Sequence, residues 1–361
     1  MLVVLIVLLG LLFGLVFLYV KLSQPPTDAA RQAEAKGITW IRSIYGYGKK
    51  TGELFNSPSG VAVDSRGRIF AADGQNGRVL VFNRSGRYLG RLGTSGLGRG
   101  QINYPQGIDV GPDDSIYVTD TKRKALLVFG SDLKFRDEIH GEEPLACYAT
   151  NDTIYVVTLG HVVLLDKNLK VLEKWGKRGK AVGEFDFPHG VAVLKNGTVV
   201  VSDGNNMRVQ ALLNGKGEAS WVYGAPPESV FTKTRSFGLP GGLAVDESEN
   251  IYVVDPLRSS IHVLSDKGKE LGEYGDVGQG EGQFYFPSDI AYLGDGEFVV
   301  SDTFNDRLQI VRISGGGLIA RASIRGLWDT IRDFWWCALL LLLLLAAVLF
   351  VFFRRRGEAA A

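Results

Sequence analysis

"SPSGVAVDSRGRIFAADGQNGRVLVFNRSGRYLG", residues 57–90, decides the fold. It contains three short apolar runs, Val61–Val63, Ile69–Ala72 and Val79–Phe82, and opens a fourth, Tyr88–Leu92. Runs of this length bounded by Gly, Asn and Asp are strand signals, and none is long enough for a helix. Four strands make one small sheet, and one small sheet cannot bury both its faces. The stretch therefore demands companions.

The chain supplies five. "YPQGIDVGPDDSIYVTDTKRKALLVFGSDLKFR" (104–136), "FPHGVAVLKNGTVVVSDGNNMRVQALLNGKG" (187–217), "LPGGLAVDESENIYVVDPLRSSIHVLSDKGKELG" (239–272) and "FPSDIAYLGDGEFVVSDTFNDRLQIVRISGGG" (286–317) repeat its plan. A further copy, residues 143–173, has lost the signature residues but keeps the apolar rhythm. The anchoring prolines, Pro58, Pro105, Pro144, Pro188, Pro240 and Pro287, lie 39–52 residues apart. This period belongs to propeller blades, which pack radially and leave only short protected edges. The expected fold is all-β, a six-bladed propeller over residues 38–324.

Closure of the ring is also legible. The segment 37–58 ahead of the first proline matches the link 268–287, which carries a fourth strand into the next blade. The N-terminal segment should therefore complete the sixth blade. "GLIARASI" (317–324) competes for the same place.

On these residues the chain resembles the NHL-repeat family of six-bladed propellers. The resemblance rests on P-x-G-[VIL]-x-V-D, on an Asp closing the second strand, and on N-x-R before the third. The tripeptide Asn-His-Leu itself is absent, and the third copy lacks the motif. The repeated polar residues have a scaffold reading. Asp73, Asp120, Asp203, Asp255 and Asp302 end second strands, and Arg78, Arg208 and Arg307 open third strands. A carboxylate there can accept hydrogen bonds from hairpin amides and from the arginine, and the intervening Asn suits a turn residue with positive φ. A device present in five copies is expected to be structural.

Outside the repeats lie two apolar segments, residues 1–20 and 334–353, each without a charged side chain. Twenty helical residues span about 30 Å, the thickness of a bilayer's hydrocarbon core. The first lacks a basic leader and a small-residue cleavage site, so it reads as a signal anchor and not a cleaved signal peptide. Residues 21–37 form a linker, and 325–333, with Trp328, an interfacial segment. Arg354, Arg355 and Arg356 make 354–361 a basic tail, expected in the cytoplasm. Both termini would then be cytoplasmic and the propeller extracytoplasmic. Lys21, after the first span, argues the other way, but a single lysine can snorkel.

Composition narrows the function. A formal net charge of +1 gives no support for a polyanion, and no nucleic-acid partner is expected. Two cysteines, Cys147 and Cys337, offer neither a disulfide framework nor a zinc box. The glycine-rich links 93–100 and 278–284 lead to the proline before a strand and do not open a helix, so they are not phosphate loops. No cofactor motif is found and none is expected.

The residues after the anchoring prolines are Ser59, Gln106, Leu145, His189, Gly241 and Ser288. They should face the channel mouth, and Ser59, Gln106, His189 and Ser288 are the candidate ligand contacts. The resemblance implies a possible zinc lyase, with histidines from several blades; here only His189 stands at such a position, and zinc needs three or four ligands. A calcium-dependent lactonase has no ordered carboxylate loop to support it. The expected function is a membrane-held binding or sensor module for a protein, peptide or glycan. A metal-dependent enzyme is the first alternative, and a cytoplasmic protein- or RNA-binding regulator follows if the topology is inverted. The loop 224–240, with exposed-looking Phe231, Lys233, Arg235 and Phe237, is a candidate partner contact.

Overall fold

A computed structural model describes residues 37–213, 219–224 and 237–313. The apolar segments 1–20 and 334–353, residues 317–324, and Phe231, Lys233 and Arg235 lie outside them. Among the described residues no helix is long and apolar enough to cross a membrane. The described secondary structure is strands and three short 3-10 turns.

The strands form six four-stranded antiparallel sheets and one two-stranded parallel pair, Thr94–Ser95 with Gln101–Ile102. Blade 1 comprises Pro58–Val63, Ile69–Asp73, Arg78–Phe82 and Tyr88–Leu92. Blade 2 comprises Pro105–Val110, Ile116–Asp120, Ala125–Phe129 and Phe135–His140. Blade 3 is Pro144–Ala149, Ile154–Thr158, Val162–Leu165 and Val171–Trp175, so the copy without signature residues still folds as a full blade. Blade 4 is Pro188–Val193, Val199–Asp203, Arg208–Leu212 and Ala219–Tyr223. Blade 5 is Leu243–Val245, Ile251–Asp255, Ser260–Leu264 and Glu270–Tyr274.

Blade 6 takes Pro287–Gly294, Glu297–Asp302 and Arg307–Ile313 from the C-terminal side and its fourth strand, Ile38–Ile44, from the N-terminal side. The closing strand runs antiparallel to the third, from Ile38 opposite Ile313 to Ile44 opposite Leu308. Ile38 is buried with Tyr252 and Ile261 of blade 5 and Phe298 of blade 6. Ile44 is buried with Val61 and Phe82 of blade 1. One seven-residue strand thus fastens both neighbours of the seam.

The first strand of each blade lies innermost, next to the first strands on either side. The glycine of the P-x-G motif makes that approach possible. A Cβ on Gly60 would stand 2.7 Å from the Gln106 carbonyl oxygen, and one on Gly107 would stand 2.8 Å from the Ala146 Cα. Blade 6 breaks the rule, with Asp289 paired opposite Ser301 where Gly190 is paired opposite Ser202.

Ile38→Ala should cost about 2–5 kcal/mol in urea unfolding, since it empties a buried site. Leu271→Ala, on an exposed position of blade 5's fourth strand, should stay within about 0.5 kcal/mol. Equal effects would mean that the N-terminal strand does not hold the ring.

Candidate functional site

The repeated polar network comes first, because it holds the mouth in shape. Asp73, Asp120, Asp203, Asp255 and Asp302 have no exposed surface. Each accepts a backbone N–H from the segment leading into its own blade: Asn56 (2.8 Å), Asn103 (2.6 Å), Asp186 (2.7 Å), Gly238 (2.6 Å) and Tyr285 (2.7 Å). In blades 1, 4 and 6 the arginine Nε donates to the same carboxylate: Arg78 at 2.6 Å, Arg208 at 2.9 Å and Arg307 at 2.7 Å. The guanidinium also donates to carbonyls of the preceding link, as Arg208 does to Ala181 and Glu184. The network therefore ties strand, hairpin and incoming link together.

The asparagine works differently from the expectation. Positive φ falls one residue later, at Gly77, Met207 and Asp306. The Asn amides of Asn76, Asn206 and Asn305 instead donate to the Asp carboxylates at 2.8–3.0 Å. Blade 5 rewires the device. Ser260 stands where blades 1, 4 and 6 have arginine, and Arg258 lies 3.6 Å from Asp255.

The six first strands enclose a cavity of about 460 Å³ along the channel. Ser59, Gln106, Leu145, His189, Gly241 and Ser288 all line it, so the variable letter after each proline does face one space. Their chemistry divides. The Ser59 hydroxyl donates to the Pro105 carbonyl of the next blade at 3.0 Å, and Ser288 to the Ser59 carbonyl at 2.8 Å. These two serines fasten adjacent blades. His189 packs against Phe187, with ring centroids 5.5 Å apart, and burial pushes its imidazole down to about 4, so it is neutral at pH 7.

Phe237 corrects the sequence reading of the 224–240 loop. It is buried, not exposed, packed between Tyr223 and His262. The ring closes the end of the loop onto the core and is not a surface contact.

The most unusual groups in the cavity were not singled out in the sequence. Asp109 and Asp289 both line it. Asp109 Oδ2 accepts the Ala149 amide at 2.7 Å, from blade 2 to blade 3. Asp289 Oδ2 accepts the Val61 amide at 2.9 Å, from blade 6 to blade 1. Burial pushes each carboxyl up to about 7, against the lowering pull of those amides, and the Asp109 charge raises Asp289 further. Both are half-buried by surface area, but the exposed part opens onto the channel, so poor solvation dominates. A signal was available. Asp289 replaces the motif's glycine, and Asp109 stands in "GIDV" where the equivalent "GVAV" has alanine.

Among the described residues no lysine or arginine lines the cavity. Of the four histidines only His189 does. His140 lies on blade 2's fourth strand, bonded to Glu138, and His161 pairs with Glu142 at 3.2 Å. His262 is buried in blade 5's third strand. Among the described residues no three His, Cys, Asp or Glu groups are placed to hold a metal. The arrangement does not fit a zinc site built from histidines of several blades. Cys147 also lines the cavity, but burial pushes its thiol well above the usual range, which removes the thiolate a nucleophile would need.

A closed ring of six blades around a lined channel defines a six-bladed β-propeller. The NHL repeat profile matches residues 55–82, 103–129 and 185–212, which fall in blades 1, 2 and 4. The chain carries NHL repeats. It is 35% identical over 89 residues to the RING finger protein nhl-1 of Caenorhabditis elegans, covering 24% of this chain and 9% of that protein. The match thus spans about a tenth of that relative's length. Among solved structures, a gluconolactonase from Xanthomonas campestris aligns with a TM-score of 0.54 at 14% identity, covering 72% of this chain and 87% of that one. A streptogramin B lyase aligns with a TM-score of 0.52 at 12% identity, covering 80% of this chain and 100% of that one. At such identities the likeness is one of fold.

Two outcomes are expected. Asp203→Ala leaves the Asp186 amide and the Arg208 guanidinium without their acceptor, and should cost roughly 3–5 kcal/mol in urea unfolding. The channel carboxyls should act through pH. Their folded-state values lie above the ordinary 3.8, so the folded ring binds more protons than the unfolded chain between about pH 4 and 7. Their contribution to stability therefore falls as pH rises through that window. An Asp109→Asn/Asp289→Asn variant should gain stability relative to wild type between pH 5 and 8. A difference that stays flat, or shrinks, would contradict the assignment.

Proposed function

We propose that this chain is a ligand-binding ring held at a membrane, whose site is the channel mouth. One observation carries the reading: the position that varies from repeat to repeat lines a single cavity in every blade. A scaffold that keeps its prolines while varying the inward-facing letter beside them has the form of a recognition surface on a rigid frame. NHL-repeat propellers generally mediate protein interactions, and a peptide or protein partner fits that pattern. The lactonase and lyase neighbours share the fold, and fold alone does not transfer their chemistry. The cavity here offers a neutral histidine, a protonated thiol and two carboxyls, without a nucleophile–base pair.

The membrane part of the reading rests on the sequence. In this reading the segments 1–20 and 334–353 are the anchors, and the Arg354–Arg356 cluster supports a ring outside the cytoplasm.

Photocrosslinking amino acids at positions 106 and 189, introduced into the full chain in its own membrane, should yield a discrete adduct. The same label at position 271, on the outer strand, should not. Equal labelling at all three would remove the mouth as the site. Externally added protease should cleave the propeller in intact cells while a C-terminal tag stays protected; cleavage only after lysis would favour the cytoplasmic regulator. Stoichiometric zinc or calcium, lost in His189→Ala or Asp289→Asn together with a hydrolase or lyase activity, would replace binding by catalysis.

A further inference from the structure

The mouth is not uniform around the ring. In blades 1, 4 and 6 the residue before the anchoring proline sits in the left-handed region: Ser57 (φ 52°), Phe187 (φ 57°) and Phe286 (φ 53°). Non-glycine residues there pay roughly 1–2 kcal/mol, and bulky ones are uncommon. Blade 1 shows that the turn is met by serine. Phenylalanine at the same backbone position in blades 4 and 6 is therefore not required by the turn.

The hairpin tips after the second strands repeat the contrast. Gln75 and Asn205 occupy the tips of blades 1 and 4, whereas blades 5 and 6 present Leu257 and Phe304, 63% and 54% exposed. Phe304 stacks face to face on Phe286, centroids 4.6 Å apart at 12°, and exposed Tyr285 meets its edge at 5.4 Å. Phe286 and Pro256 also line the cavity. The rim over blades 4 to 6 thus carries Phe187, Leu257, Phe286 and Phe304, beside the polar Asn205 and Arg258. Elsewhere the equivalent positions are Ser57 and Gln75, Tyr104 and Lys122 in cation–π contact at 4.8 Å, and Glu143 with the short Leu159–Gly160 tip.

The cavity that Phe286 lines also holds two carboxyls: Asp289, three residues further along the chain, and Asp109 of blade 2. Among the described residues Asp109 and Asp289 are the charged side chains that line the cavity, and no lysine or arginine of them does. An apolar lip over an anionic shaft is complementary to one kind of partner.

We propose that the mouth over blades 4 to 6 docks an extended peptide segment in which a bulky apolar side chain neighbours a lysine or arginine. The apolar group lies on the Phe286–Phe304 stack. The cation passes the aromatic faces, which attract it, and ends over Asp289 and Asp109. Asp109 feels the charge of Lys167, which does not line the cavity, and the arriving cation adds a counter-charge inside it. The inference deepens the binding-ring reading and rests on it.

The test uses the full chain in detergent micelles, immobilised and incubated at pH 7.5 with N-acetylated, C-amidated hexapeptides randomised at four positions. Retained peptides are sequenced by mass spectrometry. Enrichment of Lys or Arg within two positions of Phe, Leu, Ile or Trp is expected. In Asp109→Asn/Asp289→Asn the basic preference should fall about tenfold while the apolar preference persists. In Phe286→Ser/Phe304→Gln, which copies the Ser57 and Gln75 of blade 1, the apolar preference should fall by a similar factor. Melting curves establish that each variant is folded, and if the carboxyl pair cannot be replaced the rim variant decides alone. An acidic preference, a purely apolar preference, retention insensitive to the rim variant, or no retention above blank beads overturns the proposal. If crosslinks from positions 106 and 189 persist in that event, the binding ring stands and only its peptide chemistry falls. If those crosslinks are absent as well, both fall.

Discussion

The antiparallel pairing of Ile38–Ile44 with Arg307–Ile313 is the interaction on which the ring depends. A blade made of four short strands has two apolar faces and can cover neither alone. Packing six around an axis covers both faces of every blade, provided the last meets the first. The strand that achieves this is the most distant in sequence from its partner, so its closure entropy is the largest of any strand pair here. Closure must therefore bring in much burial at once. It does so through Ile38 on the blade 5 side and Ile44 on the blade 1 side, which seal two interfaces together. Once the ring is shut, the inner strands are pressed into contact and the channel acquires its width.

That width explains the glycine of each repeat and the exceptions to it. Gly60, Gly107 and Gly190 lie where neighbouring inner strands approach too closely for a side chain without movement. Asp289 stands in that row because Gly242 beside it leaves room, its missing Cβ position overlapping the Asp289 carboxylate. The carboxyl then reaches the Val61 amide of blade 1. Asp289 is thus a fastening across the seam between blades 6 and 1 as well as a channel group. The same backbone contact that holds it also keeps its charge in a poorly solvated place, and the raised proton affinity follows from the packing.

Much of this was legible in the sequence. The strand boundaries in blade 1 agree to within a few residues, the degenerate third copy is a blade, and the N-terminal segment completes the sixth sheet. These features follow from period and from the count of strands, which are local properties. The Asn–Asp–Arg motif was read correctly as scaffold but with the asparagine's task misplaced. Its value lies in its amide reaching the carboxylate three residues back, and the left-handed turn is taken by the residue after it. Phe237 was read as exposed because loop membership was used as a proxy for exposure; its burial against His262 depends on contacts far apart in the chain. Asp109 and Asp289 were passed over for a related reason. A charged residue inside a repeat strand looks like tolerated variation until the strands are known to face one another across a channel.

The repeat itself then gives a way to separate function from architecture. Every blade must solve the same turn before its proline, the same hairpin after its second strand and the same inner-strand contact. Where a residue is what that solution demands, as with the buried Asp or the motif's Gly, its presence says nothing about a ligand. Where blades differ at one backbone conformation, the difference measures what the fold leaves free. Ser57 against Phe187 and Phe286, Gln75 against Phe304, and Gly107 against Asp289 are differences of this kind. Each of the aromatic choices is less favourable locally than its polar counterpart, because it holds a ring in a strained turn or in water. Each also lies at one end of one channel, within three consecutive blades. Scattered drift has no reason to gather there. Internal comparison among six copies of one structural unit thus does the work that comparison among relatives would otherwise do, and it points to the rim over blades 4 to 6.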